Sequence, residues 1–127
     1  MIPGKLTLAI FLMTAPAVWA QFSKADMTKL AADRVDTAAK TLKLRPDQVA
    51  AITPLLQTKY VYMGQVKDVY MASAKDDVSK KTAKDSLKAI DAKYNGQINT
   101  ILTPEQAKAW KRMQKKNWKG DLVPTSF

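Results

Sequence analysis

A short sequence pattern occurs twice in this chain, and it constrains the fold more than any other feature. Residues 44–48 and 102–106 both read Leu, any residue, Pro, an acidic residue and Gln. Proline is tolerated in the first turn of a helix, and Gln at the third helical position can bond back to the residue that caps the helix. The pattern therefore predicts that a helix begins at each copy, directly after a sharp turn.

The second copy satisfies the rules for a helix start most fully. Thr103 can cap the helix by accepting a hydrogen bond from the backbone N–H of Gln106, which places Pro104 at the first helical position. Glu105 puts negative charge near the positive end of the helix dipole. Leu102 precedes the cap and can pack against the first turn. We interpret these residues as structural rather than catalytic.

The first copy follows the same plan with one defect. Pro46 and Gln48 keep the first and third helical positions, and Leu44 supplies the preceding apolar residue. Arg45 stands where the second copy has Thr, and a guanidinium group cannot accept a hydrogen bond from the helix backbone. We therefore expect a helix start whose cap is impaired.

Apolar residues recur at steps of three and four in four stretches, which is typical of amphipathic helices. The four stripes are Met27, Ala31, Val35, Ala38, Leu42; Val49, Ile52, Leu56, Tyr60, Met63, Val66, Tyr70; Ala83, Leu87, Ile90, Tyr94, Ile98, Ile101; and Ala107, Trp110, Met113 or Gln114, Trp118. We predict an all-α fold of four helices, with Ser23 or Asp26 capping the first. The second and third helices should form a long antiparallel hairpin that turns around residues 75–81.

Two features of the hairpin have more than one interpretation. Pro54 either kinks the second helix or breaks it, since proline removes a backbone hydrogen bond and clashes with the preceding turn. After a break, a long piece of about residues 54–74 would match a third helix of about residues 80–101. Gly64 and Gly96 either allow a close approach of the backbones or weaken two exposed turns.

The first twenty residues have the pattern of a secretory signal peptide. Lys5 precedes an apolar run. In Val18-Trp19-Ala20, Val18 and Ala20 supply the small residues at positions −3 and −1 of a cleavage site. The alternative is a membrane anchor, but the run is shorter than the roughly 20 residues that span a bilayer. We expect cleavage after Ala20, a helical domain over residues 21–120 that ends at Gly120, and a loose tail over residues 121–127. The absence of Cys mildly favours a bacterial periplasm.

Composition and charge limit the classes of function. The chain has no His, no Cys and no Gly-rich phosphate loop, so we expect no catalytic, metal or cofactor site. Its net charge of +10 would attract anionic partners or would simply serve solubility. The Lys- and Arg-rich residues 108–119 are interpreted either as a solvated helix face or as a basic amphipathic helix that binds polyanions or lipid.

The chain resembles the Spy/CpxP family of periplasmic proteins. It shares with that family the two motifs, the signal-peptide pattern, the helical pattern and the excess of basic over acidic residues. The residues most similar to the family pattern are 97–106, followed by Trp110 where the family places an aromatic side chain. The resemblance implies a curved antiparallel homodimer built on the hairpin. Its basic and apolar concave face would hold unfolded or partly folded proteins without ATP. Some family members instead damp a membrane sensor kinase, and the metal-binding members use ligands that this chain lacks.

The hairpin contains the residues that we expect to contact such clients. The apolar candidates are Tyr62, Met63 and Met71, and the basic candidates are Lys59, Lys67 and Lys88. Tyr62 and Met71 lie off the main stripe of the second helix, so we expect both to be exposed. We expect no nucleic-acid partner and no stable membrane insertion. A regulatory module that binds the periplasmic domain of an envelope-stress sensor kinase, or a protein that binds polyanions or lipid, is the alternative.

Overall fold

The computed structural model describes residues 23–118, and these residues fold into four helices with no strand among them. The helices are α1 (Lys24–Leu42), α2 (Pro46–Met71), α3 (Asp77–Asn99) and α4 (Pro104–Lys116). The prediction of an all-α fold with a long α2–α3 hairpin is confirmed. The predicted signal peptide, the Gly120 stop and the tail lie outside the described residues.

Side-chain caps set the beginnings of α1 and α3. The Ser23 hydroxyl accepts a hydrogen bond from the backbone N–H of Asp26 at 3.1 Å, which confirms Ser23 as the cap of α1. Asp76 caps α3 by accepting from the backbone N–H of Ser79 at 2.8 Å. The hairpin turn therefore lies at residues 72–76, and α3 begins three residues earlier than expected, since Asp76 is its cap.

Pro54 lies inside α2, which runs without a break from Pro46 to Met71. The interpretation that this proline divides the helix is therefore wrong. Pro54 and Ala50 are both on the exposed side of the helix, so the carbonyl group that loses its partner can bond to water. The hydroxyl of Thr53 adds a hydrogen bond to the Val49 carbonyl at 2.7 Å.

The main core lies in the half of the molecule that contains the two motifs. Its buried members are Met27, Ala31, Val35, Ala38, Ile52, Leu56, Tyr60, Ile98, Leu102, Trp110, Met113 and Trp118. α1 packs against α2 and α4, and α2 packs against α3. The hairpin contributes to this core through residues 49–63 and 98–102. We call the part of the hairpin nearest its turn, residues 64–90, its far half.

In the far half, α2 and α3 pack mainly on each other. Tyr70 and Leu87 are buried there, and Tyr94 is buried farther along α3, as their stripes predict. Gly64 is also buried. A Cβ atom added to Gly96 would meet no atom within 4 Å. Gly96 therefore weakens an exposed turn of α3 and does not serve a close approach between two helix backbones. No helix within residues 23–118 is long and apolar enough to cross a membrane.

Candidate binding groove on the helical hairpin

The two motif copies meet through their glutamine side chains. Gln48 Nε2 donates to Gln106 Oε1 at 2.8 Å and to the carbonyl oxygen of Ile101 at 3.0 Å. Gln106 Nε2 lies 3.4 Å from both Gln48 Oε1 and the carbonyl oxygen of Leu42. Each amide nitrogen thus bonds to the backbone that precedes the other copy. The result is a nearly symmetric connection between the ends of α1 and α3.

Each glutamine oxygen is held by its own helix start. Gln106 Oε1 accepts from the backbone N–H of Thr103 at 3.0 Å, and the Thr103 hydroxyl accepts from the N–H of Gln106 at 3.2 Å. The predicted capping box of the second copy is therefore confirmed. In the first copy Gln48 Oε1 accepts from the N–H of Arg45 at 2.9 Å, while the Arg45 side chain makes no cap bond. It binds the Asp47 carboxylate at 3.0 Å instead, and this bond holds the pKa of Asp47 below its usual value.

These contacts give the motif a structural role. Gln48 is only 1% exposed, and its amide is satisfied on both sides, as a buried polar group requires. Leu102 is in the core and Leu44 packs against it, whereas Pro46, Pro104 and Glu105 are exposed. The motifs hold α1 and α4 over one half of the hairpin, and no other helix within residues 23–118 covers the far half.

A groove of about 610 Å³ lies between α2 and α3 in the far half and extends to Tyr62 at its edge. Its lining residues are Tyr62, Gln65, Val66, Val69, Tyr70, Ser73, Val78, Ser79, Thr82, Ala83, Ser86 and Ile90, and none of these is charged. Tyr62 is 45% exposed, Val69 62% and Val78 73%. We call this surface the apolar groove. Contiguous exposed apolar surface is typical of sites where proteins bind partners.

The apolar groove has an aromatic end and a flexible polar lining. The ring of Tyr62 lies 6.3 Å from the ring of Tyr94, which is itself buried in the hairpin. Lys93 Nζ is 5.3 Å from the centre of the Tyr94 ring. Short Ser and Thr side chains between the apolar residues can donate or accept hydrogen bonds in several orientations. The groove can therefore accommodate apolar segments without requiring one fixed pattern of polar groups.

A row of lysines on α3 lies beside the apolar groove. Lys80, Lys81, Lys84 and Lys88 border a second cleft of about 450 Å³, together with Asp77, Asp85 and Leu87. Lys88 is exposed, as predicted. Lys81 Nζ pairs with Asp85 at 2.8 Å, which raises the pKa of Lys81 and lowers that of Asp85. The far half therefore carries an apolar surface and a positively charged surface on neighbouring faces.

Lys59 and Lys67 were expected to be accessible for contact with clients, and this expectation is wrong. The two lysines are 2% and 3% exposed. Lys59 Nζ lies 2.7 Å from Asp91 Oδ1 and donates to Asn95 Oδ1 at 3.1 Å. Burial lowers the pKa of Lys59, and the Asp91 carboxylate opposes this shift. α2 packs against both α1 and α3, so its buried arc is wider than the single stripe on which the expectation rested.

The remaining predicted residues divide between the groove and the core. Tyr62 is exposed, as expected, and it lines the apolar groove. Met63 is half-buried against the core. Met71, which was expected to be exposed, is half-buried at the end of α2 and lies outside the groove. The sequence analysis missed Val69 and Val78. The signal for Val69 was available, because Tyr62, Val66 and Val69 form a second stripe at steps of four and three.

The basic face of α4 is exposed and its apolar face is buried. Trp110, Met113 and Trp118 are buried, and the rings of Trp110 and Trp118 meet edge to face at 5.2 Å. The basic residues Lys108, Lys111, Arg112, Lys115 and Lys116 are all exposed. Because the apolar face of α4 belongs to the core, this helix has no apolar face free to insert into lipid. Within residues 23–118, no group of three or more acidic side chains could hold a metal ion.

Comparisons with protein-family models, with curated proteins and with solved structures found no match to this chain.

Proposed function

We propose that this protein is an ATP-independent chaperone of the Spy/CpxP type, which binds unfolded or partly folded proteins in the periplasm. The observation that carries the proposal is the apolar groove, where Tyr62, Val69 and Val78 expose large apolar side chains on an uncovered helical hairpin. A folded monomer gains nothing from exposing these side chains to water, since their burial would stabilise it. Their exposure is expected of a surface that binds other proteins.

The two neighbouring surfaces would have different roles in such binding. The lysine row, Lys80, Lys81, Lys84 and Lys88, would attract acidic clients over a distance and increase the rate of encounter. The apolar groove would then take up apolar client segments that are exposed before folding is complete. Neither surface imposes a fixed hydrogen-bond pattern, which fits a protein that binds many different clients.

A homodimer would enlarge this surface in the way that the family resemblance implies. The groove of one chain accommodates a short segment, whereas two hairpins side by side would offer a longer cradle. Sedimentation of residues 21–127 measures the mass directly. A dimer is expected, and a compact monomer at working concentration would remove the cradle from the proposal.

Aggregation assays distinguish the chaperone from a regulatory module. Several unrelated proteins are unfolded and diluted without ATP, and light scattering is followed with and without this protein. We expect suppression for several clients at a near-equimolar ratio. Suppression of none would reject the chaperone and favour a module that recognises a single partner, such as the periplasmic domain of a sensor kinase.

A further inference from the structure

The two walls of the apolar groove are helices, and this limits the conformation of a segment that binds between them. Along most of both walls the backbone N–H and C=O groups are paired within their own helix. The groove therefore offers mainly side chains to a bound segment. Residues 23–118 contain no strand, so they present no sheet edge to which an extended segment could add.

A segment buried in the apolar groove must satisfy its own backbone groups. Proteins leave few buried N–H and C=O groups unpaired. An extended segment depends on a partner strand for these bonds, whereas a helix makes them internally. Short polar side chains do not replace a strand. The Ser73 hydroxyl, for example, already donates to the Tyr70 carbonyl at 2.6 Å and accepts from the backbone N–H of Lys75 at 3.0 Å. The lining therefore favours a helical occupant.

The length of the apolar groove matches a short helix. Along α2 the groove extends from Tyr62 to Ser73, which is about 16 Å or about three helical turns. Among its exposed apolar side chains, Tyr62 lies at one end, and Val69 and Val78 lie toward the hairpin turn. An amphipathic helix presents apolar side chains at steps of three and four along one face, so three turns can contact both ends of the groove.

The end of the groove near the hairpin turn is negatively charged. Asp76 and Asp77 directly precede the lining residue Val78, and Lys75 offsets one of these two charges. The N-terminus of a helix carries a partial positive charge. This end of the groove therefore favours the N-terminus of a bound helix.

The aromatic end of the groove carries the opposite charge. Lys93 is exposed, and its Nζ lies 5.3 Å from the centre of the Tyr94 ring, which is 6.3 Å from the Tyr62 ring. The nearby Asp91 carboxylate is paired with Lys59 at 2.7 Å. Lys93 would therefore stabilise the C-terminus of a bound helix, which carries a partial negative charge.

We propose that the apolar groove binds client segments as amphipathic helices of about three turns, which run parallel to α3. The apolar stripe of such a helix lies against Tyr62, Val69 and Val78, and its polar face remains in water. This inference rests on the proposed chaperone function and adds the class of segment that the groove selects. Its clients are partly folded proteins whose helices form before their core has closed.

Two peptides of identical composition distinguish a helical occupant from an extended one. Both have about 14 residues, capped ends and the same leucine, glutamine and glutamate content. One spaces its leucines at steps of three and four, and the other alternates leucine with polar residues. Both are mostly unfolded when free, because helices of this length are marginal in water. Fluorescence anisotropy measures the binding of each labelled peptide to the protein, and circular dichroism measures the helix gained on binding.

We expect the peptide with the helical stripe to bind at least about tenfold more tightly and to gain helix when it binds. Equal binding of the two peptides would overturn the helical occupant but leave the chaperone proposal intact, since the groove would then accept apolar segments in any conformation. Binding of neither peptide would also overturn the inference. The aggregation assay then decides separately whether the chaperone proposal stands.

Two double variants establish whether the helical peptide binds in the groove. Val69→Ser with Val78→Ser makes the groove more polar, whereas Ala50→Ser with Ala92→Ser changes two exposed residues outside it. We expect the affinity for the helical peptide to fall by at least about tenfold in the first variant and to stay unchanged in the second. Equal losses would contradict binding in the groove.

A nitroxide label on either end of the helical peptide tests its orientation. Nuclear magnetic resonance of the ¹⁵N-labelled protein detects the label, because nearby backbone signals broaden. We expect a label at the N-terminus to broaden the signals of Val78 and Ser79, and a label at the C-terminus to broaden those of Tyr62 and Ile90. The reverse pattern, or equal broadening at both ends, would overturn the parallel orientation.

Discussion

Gln48 and Gln106 occupy the same position in the two motif copies and bond to each other at 2.8 Å across 58 residues of chain. The oxygen of each side chain is held by its own helix start, and the nitrogen is held by the other copy. The repeated motif is therefore one connection made of two halves. It determines which half of the hairpin is covered by α1 and α4, and so leaves the other half open.

Removal of either glutamine should destabilise the whole core. Gln48→Ala leaves the N–H of Arg45 and the carbonyl of Ile101 without their partners, and we expect a loss of about 2 kcal/mol in the free energy of unfolding. Urea denaturation measures it. Gln97→Ala, on an exposed side of α3, is the control and should change little.

The two glutamines should also be coupled. In a double-mutant cycle of Gln48→Ala and Gln106→Ala, we expect a coupling of about 1 kcal/mol, since the two side chains share one hydrogen bond network. Additive losses would mean that each glutamine serves its own helix start alone.

The ion pair between buried Lys59 and half-exposed Asp91 should matter more than the exposed pair between Lys81 and Asp85 within α3. Asp91→Ala leaves Lys59, which is 2% exposed, without its carboxylate partner, and we expect a loss of about 2 kcal/mol in the free energy of unfolding. Asp85→Ala breaks the exposed pair with Lys81 and should change the stability little. Equal losses in thermal or urea denaturation would show that Lys59 does not depend on Asp91.

The lowered pKa of Lys59 predicts a dependence of stability on pH. Below that pKa, Lys59 is charged in both the folded and the unfolded state, and the cost of burying the charge is fully present. Between the lowered pKa and 10.5, the unfolded state binds more protons, so the free energy of unfolding rises with pH. Urea denaturation at several pH values approaching 10.5 should show this rise relative to Lys59→Met, which removes the titrating group. A difference that stays flat or falls would contradict it.

Gly96 offers a direct gain in stability. A Cβ at this position meets no atom within 4 Å, and glycine inside a helix is less favourable than alanine by about 1 kcal/mol. Gly96→Ala should therefore raise the free energy of unfolding by about that amount. A loss of stability or a change in solution mass would show that a partner chain approaches α3 at this point.

Sequence patterns accounted well for local structure. The stripes, the Thr103 capping box, the weak cap at Arg45 and the Ser23 cap all depend on neighbouring residues, and all are present in the structure. Pro54 was harder to interpret, since the cost of a proline depends on whether its unpaired carbonyl can reach water. That depends on the position of the residue on the packed helix.

Contacts between distant parts of the chain could not be read from the sequence. Lys59 and Lys67 looked like surface residues because a single stripe was assumed for a helix that packs on two sides. The Gln48–Gln106 bond and the Lys59–Asp91 pair join residues on separate helices, and local patterns carry no information about such pairing. The apolar groove was missed in part because it depends on where α1 and α4 end.

Client protection by a groove variant tests the central claim most directly. Tyr62→Ser, Val69→Ser and Val78→Ser together make the apolar groove polar. Serine at the exposed alanines Ala25, Ala50 and Ala92, which lie outside the groove, provides the control. Circular dichroism establishes that both variants are folded. In the aggregation assay, the account predicts that the folded groove variant loses most of its protection while the control retains it. Full protection by the folded groove variant would contradict the claim that the apolar groove binds clients.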